Sequence, residues 1–216
     1  MIGMVTLMFI LQASSASAAG LDDEDESTAI RKAQAALPTS LQMVDDAITL
    51  LSKGLAGMTQ EERELFQGFF DPGNTGDIDE NYVLQVLDNY RRLREVLNKE
   101  LTIKYEPESR DCRLMALFHT NYFEVHVCSY ILEETNAGRI ARDLVHEAAH
   151  IAWLANDREY YYSQDYQPYQ KLTPRGHPAA QIPVVGRIIR EIVLDDTLFN
   201  PDTYCTFAAR LTEDVE

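Results

Sequence analysis

Apolar residues recur at helical spacing over Leu37, Leu41, Val44, Ile48 and Leu51, with Pro38 near the start and Gly54 just past the end. Proline suits a first turn and glycine a C-terminus, so this periodicity predicts a helix. Thr59-Gln60-Glu61-Glu62 reads as a capping box that opens a short helix through Phe70. Val83, Leu87, Tyr90, Leu93 and Leu97 fall on one face of a third helix, from about Asn81 to Asn98. Between residues 113 and 131 the period changes. Phe123, Val125 and Val127 alternate with Glu124, His126 and Cys128, and Asn121 offers a turn, which predicts two short antiparallel strands. Helical spacing returns at Ile140, Leu144, Ala148 and Ile151. A tyrosine-rich loop covers Tyr160 to Tyr169, Val184 to Leu194 reads as another helix, and a last short helix begins near Asp202. Helices around one small antiparallel sheet make an α+β domain.

Composition narrows this picture. The chain has 216 residues, 45% of them hydrophobic, which suffices for one substantial core. A formal net charge of −16 disfavours nucleic acid and anionic membrane surfaces as partners and favours basic ones. The first residues are apolar and uncharged, and Ala16-Ser17-Ala18 supplies small-x-small spacing, so residues 1–19 read as a secretory signal peptide. No other run of about 20 apolar residues is present. The acidic stretch Leu21 to Ser27 lies in an expected solvated linker over 20–35, ahead of a domain over 36–216. Secretion implies an oxidising compartment and makes the three cysteines interpretable. Cys112 and Cys128 flank the predicted hairpin and are expected to pair, which would contribute roughly 3 kcal/mol by the chain-entropy estimate. Cys205 is left as a buried free thiol.

Two segments carry candidate chemistry. Asp71 to Tyr82 has the outline of an EF-hand loop, but Gly73 and Tyr82 stand where oxygen ligands are needed, so it reads as an acidic turn. His146-Glu147-Ala148-Ala149-His150 is a zinc-peptidase pattern on an apolar-periodic helix. Its histidines lie one turn apart on one face, and Glu147 stands beside them as a candidate general base. A catalytic zinc takes three protein ligands and a water. The third is open on spacing alone: Asp157, Asp165, His177, or Glu191 in Glu191-Ile-Val-Leu-Asp195. The metzincin pattern is excluded, because Trp153 and Asn156 occupy its glycine and histidine positions.

Asp157-Arg158-Glu159-Tyr160 adds a D-x-x-Y pattern, and with it the chain resembles the aspzincins, the deuterolysin and peptidyl-Lys metalloendopeptidase family. Leu144-Val145-His146-Glu147, Val125-His126-Val127-Cys128 and Asn200-Pro201-Asp202-Thr203-Tyr204 are similar to further segments of that family, over about residues 80–210. The resemblance implies a zincin-like fold and a zinc ion held by His146, His150 and Asp157. It implies Glu147 as general base, Tyr160 as hydrogen-bond donor to the oxyanion, and Asp202 as a substrate-binding acid. It also implies that the strand over 123–128 pairs with an extended substrate. The chain has Leu154-Ala155 where the family has Gly-Thr, so Asn156 must make the turn that returns Asp157 to the metal. Cys205 stands where the lysine-specific branch carries a second acid, so lysine specificity is not expected.

These readings converge on a secreted, monomeric zinc metalloendopeptidase acting on protein or peptide substrates, with basic ones favoured by charge. The alternative is a non-catalytic secreted interaction protein on the same scaffold.

Overall fold

The computed structural model describes residues 18–71, 78–99, 101–107, 112, 117–121, 124–153, 198 and 200–213. Helix α1 (Ala18–Leu51) runs along α4 (Glu80–Asn98), α5 (Ala137–Trp153) and α6 (Pro201–Glu213), and α6 packs on α5. Between α1 and α4 lie the short α2 (Gly54–Gly57) and α3 (Gln60–Phe70). The three strands β1 (Thr102–Tyr105), β2 (Phe118–Asn121) and β3 (Glu124–Val127) form one small sheet, followed by a 3-10 turn at Ser129–Leu132. The architecture is mostly helical with a small sheet, consistent with α+β.

Helix α1 is longer than its apolar stripe predicts. The segment over 20–35, expected as a linker, is its first half, and Pro38 lies inside the helix rather than at its start. The acidic side chains Asp23 to Glu26 are exposed as expected, but Ala29, Ala33 and Ala36 are buried. Alanines at three- and four-residue spacing continue the buried face with residues too small to register as an apolar stripe. Pro38 is exposed, so its ring faces solvent, and the helix absorbs one lost backbone bond there. Lys32 anchors the extension by donating from Nζ to the carbonyls of Ile131, Leu132 and Glu134 at 3.0, 2.6 and 3.0 Å. Lys32→Met, which keeps the apolar stem and removes the donors, is expected to lower the unfolding free energy by about 1.5–3 kcal/mol in urea titration.

Helix α3 starts as the capping box dictates. Thr59 Oγ1 accepts from Glu62 N–H, and Glu62 Oε2 accepts from Thr59 N–H at 2.8 Å. Asp79 caps α4 by accepting from Tyr82 N–H at 2.8 Å, so one acid of the EF-hand-like loop serves a helix end. Residues 72–77 of that loop lie outside the described residues. Gly54 has a φ of +61°, and the Glu80 carboxylate sits against its Cα where a side chain would project. Only glycine meets both conditions without strain.

The sheet has the order β1-β3-β2 and is mixed rather than antiparallel, because β1 pairs with β3 in parallel. Strand β3 is therefore central, flanked on both sides, and cannot take an extended substrate on a free edge as expected. Among the described residues, the edge beside α5 belongs to β2. In register, Ile103, Val125 and Thr120 align across the sheet, as do Lys104, His126 and His119. Successive residues alternate faces, so the first row faces the helices and the second lies on the outer face. No helix among the described residues is long and apolar enough to cross a membrane.

Candidate metal centre

Helix α5 opens where Asn136 Oδ1 accepts from Arg139 N–H at 3.0 Å. It buries Ile140, Ala141, Leu144, Val145, Ala148 and Ala149 against α1, α4 and α6. That buried stripe leaves His146, Glu147 and His150 half-buried at its border, reachable from outside yet held by the core. The two imidazoles meet edge to face, with centroids 4.8 Å apart at 72°. Their Nε2 atoms are 3.0 Å apart, close to the roughly 3.3 Å edge of a tetrahedron with zinc–nitrogen bonds.

Asp202 fixes one of these rings. Its Oδ1 lies 2.9 Å from His146 Nδ1. A carboxylate there favours the proton on Nδ1 and directs the Nε2 lone pair towards His150. The start of α6 explains this placement. Asn200 Oδ1 accepts from Asp202 N–H at 3.1 Å and so acts as the cap, while Pro201 occupies the first helical position, where a missing N–H costs nothing. Asp202, relieved of capping, turns its carboxylate to His146. Tyr204 anchors the same turn: its hydroxyl donates to Leu198 O at 2.9 Å, and Tyr90 donates to Tyr204 O at 2.8 Å. Asn89 joins them from α4 by donating to Leu198 O and the Tyr204 hydroxyl, both at 2.9 Å. Burial pushes the Tyr204 hydroxyl well up, so it stays a protonated donor.

Glu147 is held from the sheet. Thr120 Oγ1 on β2 lies 2.6 Å from Glu147 Oε2, the distance of a strong hydroxyl–carboxylate hydrogen bond, and 3.1 Å from its backbone carbonyl. Thr120 carried no mark in the sequence, since nothing in a single chain links position 120 to 147 before the hairpin packs on α5. The orienting role of Asp202 was equally hidden, because the sequence offered it for substrate binding or as the cap of the last helix.

Cys205 completes a second group around His146 with Asp202. Burial pushes its thiol up, against a hydrogen bond with His146. Cys112 and Cys128 form the expected disulfide, with Cα atoms 5.4 Å apart, and Cys205 is a buried free thiol. Asp157 and Tyr160 lie outside the described residues, as do Asp165, His177, Glu191 and Asp195, the helix expected over 184–194, and residues 1–17 of the expected signal segment over 1–19. No protein-family model and no curated protein matches this chain.

Proposed function

We propose that the chain is a secreted zinc metalloendopeptidase with an aspzincin-like site on a zincin-like scaffold. The observation that carries this is the convergence of His146 and His150 Nε2 at 3.0 Å, with Asp202 setting the ring of one and Glu147 adjacent on the same helix. The donors suit zinc, which takes neutral imidazole, and Asp157 would supply a carboxylate as third ligand. Bound there, zinc would polarise a scissile carbonyl and acidify a water.

The protein's own groups do the rest. Glu147, steadied by Thr120, takes a proton from the attacking water and returns it to the leaving amine. Tyr160 donates a hydrogen bond to the oxygen on which negative charge develops. An extended peptide adds to the outer edge of β2, beside α5, through main-chain hydrogen bonds. Secretion rests on the apolar N-terminal segment and on the disulfide, which is characteristic of oxidising compartments.

Purified protein loaded with zinc is expected to cleave a histone, chosen because the chain carries −16. A chelator should stop cleavage and added zinc restore it. A zinc-loaded protein that cleaves neither histones nor casein would instead be the non-catalytic form of this scaffold. Asp202→Asn is expected to weaken zinc binding about 10–100-fold in competition with a chromophoric chelator, since the amide keeps the shape but not the charge facing Nδ1.

A further inference from the structure

We propose that the outer face of the sheet carries a second zinc site, formed by Glu106, His119 and His126. One ligand atom from each lies within 4.8 Å of the others. His119 and His126 are partners in the β2–β3 register, and their rings stack with centroids 4.8 Å apart at 28°. Glu106 follows β1 on the same face. Its Oε2 lies 2.5 Å from His126 Nδ1 and 3.4 Å from His119 Nε2, so both imidazoles converge on one carboxylate oxygen.

Three features favour a cation over a simple polar patch. First, His119 Nε2 and His126 Nε2 are buried without a hydrogen bond, the contacts from His119 to Glu106 at 3.4 Å and from His126 to Glu124 at 3.5 Å being poorly directed. Buried polar atoms left in this state are uncommon, and coordination of an ion at His119 would remove the deficit there. Second, the local charge is negative. Lys104 Nζ sits 2.7 Å from Glu124 Oε2 and is engaged there, and no lysine or arginine among the described residues is paired with Glu106, whose recorded partners are the two histidines. Third, the ligands are carried on a fixed frame with an open mouth. Glu106 N–H donates to Val127 O at 3.0 Å, and the disulfide sulfur of Cys112 lies 3.1 Å from Glu106 O. The Glu106 side chain is 47% exposed, so an ion has a route in, while the His119 and His126 side chains are 13% and 9% exposed. Two imidazoles and a carboxylate make a donor set that zinc accepts. This site lies on the sheet face opposite Thr120 and does not depend on the His146 centre.

The test is zinc stoichiometry after equilibrium dialysis, measured by mass spectrometry on the full chain. Glu106→Gln and His119→Gln should each bind about one zinc ion per chain fewer than the unaltered protein. A His146→Ala/His150→Ala double variant should keep the Glu106-dependent zinc, so loss of one centre is distinguished from loss of the other. Imidazole NMR of the unaltered protein covers the case in which a variant fails to fold: the His119 and His126 resonances should shift as zinc is added. If both glutamine variants bind as much zinc as the unaltered chain, or if zinc leaves those two resonances in place, the second site does not exist.

Discussion

Glu147→Gln is expected to keep its zinc and to lose on the order of 10²–10⁴-fold in kcat/KM. The substitution is nearly isosteric. Its amide oxygen can still accept from Thr120, as Glu147 Oε2 does at 2.6 Å, so the side chain should stay in place. His146 and His150, set by α5 and by Asp202, are untouched. What is lost is the ability to accept a proton, because a neutral amide is not a base at neutral pH. The change therefore separates chemistry from binding: stoichiometric zinc measures the binding half, and histone cleavage under single-turnover conditions measures the other. A variant that holds zinc and cleaves as fast as the unaltered protein would remove Glu147 from the mechanism and the peptidase reading with it. Should Thr120→Val also slow cleavage while Glu147→Gln does not, the sheet contact rather than the carboxylate would be the relevant feature.

The second large effect concerns the support of the site. Phe207→Ala is expected to lower the unfolding free energy by about 3–5 kcal/mol. Phe207 is fully buried and meets Phe66, Phe69 and Phe70 of α3 edge-on, at centroid distances of 6.0, 5.6 and 5.4 Å, and Tyr90 of α4 at 6.3 Å. Truncation removes a ring from the junction of three helices, and surrounding aromatic side chains are too rigid to fill the space. Because α6 also carries Asp202 and Tyr204, weaker docking should be felt at His146. Urea titration with an unchanged slope checks the stability. Leu84→Ala, at a side chain 52% exposed, should move it by no more than about 0.5 kcal/mol and serves as the comparison. A loss below about 1 kcal/mol for Phe207→Ala would mean that the aromatic cluster does not hold α6 in place.

Much of the frame was legible because it follows from local pattern. The capping box at Thr59, the stripe of α4, the β2–β3 hairpin and the pairing of Cys112 with Cys128 all rest on residues close in the chain. Strand β1 was not read. It is four residues long, and its partner is a parallel strand some 20 positions away, so no local turn announces it. The first half of α1 was missed for a different reason. Its buried face is alanine, which has strong helix propensity but a weak apolar signal, and Pro38 resembled a helix start. Lys32, reaching carbonyls about a hundred positions away, is what holds that half against the 3-10 turn.

By itself the sequence determined which donors exist and which of them share a helix face: His146 and His150 stand one turn apart, with Glu147 beside His146, because 3.6 residues make a turn. It also placed the start of α6 near Asp202, although the cap is Asn200 and Pro201 is the first helical residue. Only the tertiary structure decided what those donors face. Thr120 meets Glu147 because the hairpin packs on α5, and Asp202 meets His146 because a buried polar network from α4 fixes the first turn of α6. The stacked His119 and His126 on the other side of the sheet depend on register in the same way. Helical spacing is a property of the backbone and is written locally. Contacts between elements are set by which faces are buried together, and that is settled only when the whole core closes.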